Sequence, residues 1–335
     1  MRLAGATQSA RQEVVTIGEC LVSLVAANSA PLADVRALRP HVAGAEANVA
    51  VGLARLGHRV AFIGRVGADG FGTRIVRTLR GEDVDVVGLT VDPSGPTGLM
   101  VRERRGVGPS EVVYYRTASA GARLGPEDVA AAVKRGVFAR ARWLHLTGIT
   151  PALSDSCRAA VAAALAVGRA EGLTVSFDVN LRRRLWSDTE SASVLRDLVA
   201  QVDVVIADEV EAALVAGLGA ETGPESLAAA LVELGPSLAV IKLGADGCLA
   251  VVKGGPAVRA TGLPVATVVD PVGAGDAFSA GFIAARLDDA DLMAALSWAN
   301  ACGAASVAVE GDMTGLPTRP ELERLLSGGG SDTLR

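Results

Sequence analysis

Short apolar runs typical of buried strands alternate with helix-like segments along the second half of this 335-residue chain. Such alternation predicts a doubly wound α/β fold, in which a mainly parallel sheet carries helices on both faces. Ligands of such folds collect at the carboxyl ends of the strands. Helices are predicted at 156–171 and 209–216, between strands at 143–146, 174–178, 202–206, 239–243 and 248–252.

The first half of the chain adds a second, smaller sheet. Further strands are predicted at 14–17, 21–25 and 60–63, helices end near residues 56 and 79, and residues 28–40 are irregular. Two strands at 97–103 and 111–116, joined by a turn at 104–109, are too polar for a core sheet. We expect them to form, with part of 19–43, a small sheet that projects from the main body. The predicted domain covers 13–326, with loose tails at 1–12 and 327–335.

Composition excludes several classes of protein. Half of the residues are hydrophobic but only 3% are aromatic, so Ala, Val and Leu must build the core. A net charge of −5 without a long basic run argues against nucleic acid or a membrane surface as a partner. No apolar run is long enough for a membrane span, and no signal-peptide pattern opens the chain. Four scattered cysteines are typical of buried thiols in a reducing cytosol, which predicts a cytoplasmic location.

The most informative motif is Asp-Pro-Val-Gly-Ala-Gly-Asp-Ala-Phe-Ser-Ala-Gly at 270–281. It follows an apolar run that reads as a strand, and it opens an apolar helix predicted over 277–287. Gly273 and Gly275 allow a tight bend and the close approach of a ligand. The amides up to Asp276 would point out of a helix N-terminus, where anions bind. Donors for an oxyanion beside a carboxylate suit phosphoryl transfer to a hydroxyl.

The sequence argues against two other glycine-rich motifs at this position. A P-loop would end in Gly-Lys-Ser/Thr, which is not found here. The dinucleotide fingerprint would need Gly where Phe278 stands, which argues against a nicotinamide dehydrogenase. A Gly-Ala-Gly-Asp run alone does not exclude an ordinary strand–turn–helix corner without a functional role.

From about residue 14 to 326 the chain resembles the ribokinase-like (PfkB) carbohydrate kinases, and within them the kinases of 2-keto-3-deoxygluconate. The resemblance implies a doubly wound α/β domain with a small β lid over the sugar. It also implies ATP-dependent phosphorylation of the 6-hydroxyl of an acid sugar. Besides 270–281, the matching segments are Gly-Ala-Glu-Ala-Asn-Val-Ala at 44–50, Val-Tyr-Tyr-Arg at 113–116, Leu-His-Leu-Thr-Gly-Ile-Thr-Pro-Ala-Leu at 144–153, Asp-Val-Asn-Leu-Arg at 178–182 and Gly-Asp at 311–312.

By this resemblance Asp276 is the base for the sugar hydroxyl, and the amides of Gly273, Ala274, Gly275 and Asp276 form an anion hole. We expect the helix N-terminus to lower the pKa of Asp276, so that the carboxylate stays ionised near neutrality.

The sugar contacts implied by the resemblance are Gly44, Asn48, Tyr114, Arg116, Arg182 and Asp312. Arg116 and Arg182 favour an acid sugar, because a guanidinium binds a carboxylate through paired hydrogen bonds and a neutral hexose gains little from two cations. A solvated charged loop is the alternative explanation of Arg182. Two positions differ from the family pattern: Met100 stands where similar kinases often carry Tyr, and Ala43 stands before Gly44 where a second Gly is usual.

The nucleotide contacts implied by the resemblance are Asn180, Asp208, Lys242, Gly244, Gly247 and Asn300. Glu211 is implied to help organise Mg²⁺, although Asp208 replaces the Asn that usually precedes it. A magnesium ion that bridges ATP phosphates needs few protein ligands. The sequence leaves open whether a monovalent cation is required. Lid edges often pair between subunits in this family, which implies a homo-oligomer.

Two rival functions remain at this stage. Other members of the family act on fructose, ribose or a nucleoside, and the two arginines argue against them. A non-catalytic sugar-binding regulatory protein on the same fold is a rival of another class, against which the intact Asp276 and its glycines weigh.

Overall fold

The computed structural model describes residues 12–104, 111–219 and 221–328. Within these residues nine strands form one large sheet. They are β1 (Val14–Ile17), β4 (Val60–Gly67), β5 (Leu89–Asp92), β8 (Trp143–Thr147), β9 (Thr174–Asp178), β10 (Val204–Asp208), β11 (Leu238–Lys242), β12 (Cys248–Val252) and β13 (Ala257–Ala260). The spatial order is β13-β12-β11-β10-β9-β8-β1-β4-β5.

The large sheet is mainly parallel, as predicted. Neighbouring strands from β5 to β11 run parallel, whereas β12 and β13 are antiparallel to their neighbours. Parallel strands bring their carboxyl ends to one edge, where Asp178 ends β9, Asp208 ends β10 and Lys242 ends β11. Asp208 and Lys242 are direct partners in the register of β10 and β11.

The predicted small sheet is also confirmed. It contains β2 (Leu21–Ala26), β3 (Leu38–Ala43), β6 (Leu99–Arg102) and β7 (Val112–Tyr115), in the order β3-β2-β6-β7. We call this four-stranded sheet the lid. The expectation that residues 28–40 are irregular is wrong at its end, because β3 begins at Leu38 and pairs with β2 along its length. Most of the predicted 104–109 turn lies outside the described residues.

Helices cover both faces of the large sheet and enclose two apolar cores. Because side chains alternate along a strand, Val14 packs into one core while Val15 and Ile17 pack into the other. The described helices are α1 (Ala45–Arg55), α2 (Gly70–Gly81), α3 (Pro126–Lys134), α4 (Asp155–Ala170), α5 (Asp188–Val199), α6 (Glu209–Ala216), α7 (Pro224–Leu234), α8 (Ala274–Leu287), α9 (Leu292–Ser306) and α10 (Arg319–Leu326).

Two local expectations are wrong. The apolar run before Asp270 is not a strand but an irregular segment, in which Val268 and Val269 are 60% and 47% exposed. Its side chains therefore lack the sheet neighbours that would make a strand stable. Helix α8 begins at Ala274, three residues earlier than predicted, because Gly273 forms its N-cap.

Several further observations bear on the sequence-based predictions. The four cysteines are buried and unpaired. In the part of the chain that the structure covers, none of the helices combines the length and apolarity that a membrane crossing requires. The predicted tails at 1–12 and 327–335 lie outside the described residues, apart from Gln12, Ser327 and Gly328.

Candidate active site

The turn before α8 can be built only with glycine at its centre. Gly273 has a φ of 85°, in the left-handed region that side chains disfavour. A Cβ placed on Gly273 would also lie 2.7 Å from the carbonyl oxygen of Asp312. The tight turn directs the first amides of α8 outward, where a helix leaves them without intrahelical partners. The amides of Gly275 and Asp276 could bind an anion, and the amide of Ala274 could join them because its hydrogen bond to the carbonyl of Pro271 is long, at 3.4 Å.

Asp276 is a buried carboxylate in the first turn of α8, with 8% of its surface exposed. Its Oδ2 accepts a hydrogen bond from Asn48 at 2.7 Å, and its Oδ1 accepts a longer one from Asn180 at 3.4 Å. Burial raises the pKa of Asp276 to about 7, assisted by the nearby Asp178 and opposed by the Asn48 hydrogen bond and by Arg182. The expectation of a lowered pKa is therefore wrong, because loss of water outweighs the helix terminus.

Asp276 lies where two cavities meet. The inner cavity, under the lid, is lined by Glu19, Gly44, Asn48, Met100, Tyr114, Arg116, Arg182, Gly273, Asp276 and Asp312, among others. The outer cleft is lined by residues that include Asn180, Arg182, Asp208, Glu211, Lys242, Gly244, Gly273, Gly275 and Asp276. The inner cavity thus contains all six residues predicted to contact the sugar. The outer cleft contains Glu211 and four of the six residues predicted to contact the nucleotide.

The other two predicted nucleotide residues pack against protein. Asn300 donates from Nδ2 to the carbonyls of Ala260 and Thr261, both at 3.1 Å. Gly247 has a φ of 100° and would clash with the carbonyl of Ala260 if it carried a Cβ. Both residues therefore hold the segment after β13 in place, and neither is among the residues that line the described outer cleft.

Arg116 is held by a buried carboxylate that the sequence analysis did not select. Its NH2 lies 2.5 Å from Oε2 of Glu19, whose Oε1 accepts the hydroxyl of Ser119. The guanidinium also stacks over the ring of Tyr114, 5.3 Å from its centre. The Nε of Arg116 is buried and has no hydrogen-bond partner among the described residues. Glu19 comes two residues after the end of β1, a position at the sheet edge that could have marked it as a site residue.

Arg182 is the second cation of the inner cavity. Among the described residues no carboxylate lies within 4.0 Å of its guanidinium, in contrast to Arg116. Arg182 is nevertheless close enough to lower the pKa of both Asp276 and Asp312. Its charge is therefore available to a ligand in the cavity. Arg182 is exposed in the loop after β9, as the solvated-loop alternative expects, but it also lines both cavities.

Lys242 brings a positive charge to the outer cleft, beside the α8 turn. Its Nζ donates to both carboxylate oxygens of Asp178, at 2.9 and 3.0 Å. Burial by itself would lower the pKa of Lys242, but Asp178 and Glu211 outweigh it and raise the pKa. A Cβ on Gly275 would lie 3.5 Å from this ammonium group, so Lys242 stands next to the candidate anion hole.

Asp208 and Glu211 cap α6 reciprocally. Oδ1 of Asp208 accepts the Glu211 amide at 2.8 Å, and Oε2 of Glu211 accepts the Asp208 amide at 2.9 Å. Asp and Asn are equally good N-caps, so the departure from the usual Asn preserves this turn. Oε1 of Glu211 accepts the amide of Leu181 at 2.8 Å.

The carboxylate of Glu211 suits a magnesium ion that is bound mainly through phosphates and water. Each Glu211 oxygen keeps a lone pair after accepting its amide, so it can still accept a hydrogen bond from a metal-bound water. No group of three His, Cys, Asp or Glu side chains in the described ranges could hold a metal by itself. Magnesium keeps several waters in phosphate sites, so this donor set fits it.

Comparison with known proteins identifies the family. The model of the pfkB family of carbohydrate kinases matches residues 11–319. The chain belongs to this family. It is therefore a sugar kinase, as the position of Asp276 between two cavities suggests.

The relatives of this sugar kinase span nearly its whole length. It is 41% identical to the 2-dehydro-3-deoxygluconokinase of Thermoproteus tenax, with 93% of this chain and 94% of that protein covered. It is 38% identical to the enzyme of the same name from Bacillus subtilis, with 94% and 95% covered.

A solved relative gives the same result. The complex of an E. coli protein assigned as a ribokinase II with ATP and Mg²⁺ is 28% identical to this kinase. The two structures superpose with a TM-score of 0.86, over 95% of this chain and 99% of the other. The ribokinase-like fold is thereby confirmed, including the separate small sheet.

Proposed function

We propose that this kinase transfers phosphate from ATP to the 6-hydroxyl of 2-keto-3-deoxygluconate or a closely related acid sugar. The observation that carries the proposal is the pair of guanidinium groups, Arg116 and Arg182, in the inner cavity with Asp276. Among the described residues, the buried Nε of Arg116 has no hydrogen-bond partner and the guanidinium of Arg182 has no carboxylate within 4.0 Å. A sugar carboxylate would bind the free Nε of Arg116 and give Arg182 a counter-ion, whereas a neutral hexose would bring no negative charge to Arg182.

Asp276 acts in this proposal as the general base. Its raised pKa, about 7, makes it a stronger base than an exposed carboxylate, while most molecules remain ionised above neutrality. Asn48 orients the carboxylate through the 2.7 Å hydrogen bond to Oδ2, and Oδ1, which accepts only the longer bond from Asn180, keeps a lone pair for the sugar hydroxyl. The amides of Ala274 to Asp276 stabilise the charge that develops on the transferred group.

The remaining residues of the inner cavity position the sugar. Asn48 Oδ1 is buried and has no hydrogen-bond partner within the described ranges, so it can accept a hydrogen bond from a sugar hydroxyl. Asp312 accepts a second hydroxyl, and Tyr114 covers the sugar from the lid. Gly44 lines the cavity with bare backbone, and a Cβ there would clash with the carbonyl of Glu19.

The outer cleft binds ATP in this proposal. Lys242 and Gly244 lie along the phosphates, with Asn180 and Asp208 nearby, and Asn300 and Gly247 support the cleft from behind. Glu211 holds waters of a magnesium ion, which supplies charge neutralisation to the phosphates when bound. The exposed Tyr115 on the lid edge strand β7 is consistent with a homo-oligomer, which light scattering would test. A cytoplasmic location is supported by the four unpaired thiols.

A coupled ADP-release assay tests the substrate. The panel contains 2-keto-3-deoxygluconate, its stereoisomer at one carbon, fructose, ribose and adenosine, each with ATP and Mg²⁺. We expect the highest kcat/KM on a keto-deoxy acid. A higher kcat/KM on fructose, ribose or adenosine would refute the acid-sugar assignment, and no turnover above background on any sugar would indicate a non-catalytic protein.

A further inference from the structure

Arg102 joins the lid to the main body through a buried network. It ends β6, and only 10% of its side chain is exposed. Its NH2 donates to both carboxylate oxygens of Asp270, at 2.7 and 2.8 Å. Its NH1 donates to Oδ1 of Asp312 at 2.9 Å. These partners are 168 and 210 residues away in the chain, so one guanidinium connects three distant segments.

Both body segments belong to the reaction site. Asp270 begins the stretch that contains the α8 turn, and its carboxylate also accepts the amides of Val272 and Gly311, each at 3.2 Å. The backbone of Asp312 lies directly against Gly273. A displacement of either carboxylate would therefore move the turn that presents the candidate anion hole.

In the described part of the chain, the other arginine contacts between this side of the lid and the body are exposed, and the half-buried His41 approaches Glu310 only to 3.9 Å. Arg39 and Arg104 reach Glu310 at 3.1 and 2.8 Å, but their side chains are 49% and 46% exposed. Exposed ion pairs contribute little, whereas a buried guanidinium with several hydrogen bonds fixes its partners in one geometry. Arg102 is consequently the lid cation best placed to transmit the lid position to the site.

We propose that Arg102 is a positioning residue, which fastens the lid over the inner cavity and fixes both the Gly273 turn and Asp312 for phosphoryl transfer. The inference rests on the proposed roles of that turn and of Asp312. By holding Oδ1 of Asp312, Arg102 leaves Oδ2 to a sugar hydroxyl. Its charge also offsets two carboxylates that would otherwise repel a phosphate beside them.

The test compares Arg102→Met with Arg104→Met, which removes an exposed cation two residues along the lid. In Arg102→Met we expect kcat to fall roughly 10²-fold, because a displacement of about 1 Å costs that much. We also expect the KM for the sugar to rise, and ATP hydrolysis per sugar phosphorylated to increase, since a loosened lid admits water. Arg104→Met should keep both constants. Unchanged kcat and sugar KM in Arg102→Met would overturn the proposal.

A stability control separates positioning from simple loss of stability. Arg55 donates to both oxygens of Glu82 and to the carbonyls of Met313 and Leu316, so it holds the neighbouring chain segment from outside the site. Arg55→Met should lower the Tm and leave kcat unchanged below the transition. If Arg55→Met and Arg102→Met lose the same fraction of kcat while both are folded, the loss is caused by lower stability, and the proposal is overturned.

Chemical rescue adds a readout that a purely structural role would not move. Millimolar guanidinium, well below denaturing concentrations, should restore part of the turnover of Arg102→Gly and none in Asp276→Asn. No recovery in Arg102→Gly would contradict the proposal. All assays use the sugar that the wild-type enzyme phosphorylates fastest. Rejection of the keto-deoxy acid would therefore refute the substrate assignment and leave the test of Arg102 intact.

Discussion

Replacing Asp276 by Asn should stabilise the protein and nearly abolish its turnover. Burial raises the pKa of this carboxyl from an ordinary 3.8 to about 7. That change corresponds to about 4 kcal/mol of unfavourable free energy when the folded protein must carry the ionised form. Asn resembles the protonated carboxyl, so Asp276→Asn avoids this cost. About 4 kcal/mol is the upper limit, because Asn48 binds the carboxylate better than it binds an amide.

The sign of the pH dependence follows from the direction of the pKa change. Between pH 4 and 7 the unfolded chain releases the Asp276 proton while the folded protein keeps it, so the wild type loses stability as the pH rises. The Asn side chain of Asp276→Asn does not titrate, so the variant does not lose this stability as the pH rises. The free energy of unfolding of the variant should therefore exceed that of the wild type by an amount that grows up to pH 7 and is constant above it. Urea unfolding at pH 5, 6, 7 and 8 measures the difference.

Kinetics provide the second half of this test. Loss of a general base costs roughly 10²- to 10⁴-fold in kcat, and the wild-type kcat/KM should fall tenfold per pH unit below about pH 7. Asp34→Asn, in an exposed loop, is the matched control and should change neither stability nor turnover. A stability difference that does not vary with pH would refute the burial argument, and wild-type turnover in Asp276→Asn would refute its role as the base.

Three further substitutions and one control test other parts of the site. Gly273→Ala and its control Gly254→Ala both place a side chain at positive φ, which costs roughly 1–2 kcal/mol of stability. Only the side chain added in Gly273→Ala would also meet a backbone carbonyl, so only this variant should lower kcat. Arg182→Gln should raise the KM for an acid sugar roughly 10- to 100-fold, the worth of about 1.5–3 kcal/mol in charged hydrogen bonds, and an unchanged KM would remove Arg182 from the sugar site. Lys242→Met leaves the carboxylate of Asp178 buried without its cation, so the free energy of unfolding should fall by about 3–5 kcal/mol. The KM for ATP should also rise. Equal stability of variant and wild type in urea would argue against the ion pair.

Local signals allowed much of the fold to be predicted from the sequence. Helix α6 has the predicted bounds because Asp208 and Glu211 form a capping box and Gly217 ends the helix in the left-handed region. Helices α3, α5 and α7 and strands β5 and β13 were not predicted. Pro224 and Gly235 mark the ends of α7, so this helix could have been found by its terminal signals.

The site was harder to predict, because its properties depend on distant parts of the chain. The motif 270–281 located Asp276, but the pKa of that carboxyl depends on its burial in the folded protein and on distant groups such as Asn48 and Asp178. Arg102 is two residues after Met100 on β6, so the spacing places both side chains on one face of the strand. Nothing nearby in the sequence, however, indicates Asp270 or Asp312 as the partners of Arg102. Likewise, the pairing of Arg116 with Glu19 joins segments that only the folded chain brings together.

A crystal structure with 2-keto-3-deoxygluconate and a non-hydrolysable ATP analogue tests most directly whether Asp276 and the two arginines share one sugar. We expect the sugar 6-hydroxyl to lie within hydrogen-bonding distance of Asp276 and to face the terminal phosphate, while the sugar carboxylate contacts Arg116 and Arg182. A sugar bound in the opposite direction, with its carboxylate at Asp276, or bound outside the inner cavity, would refute this arrangement.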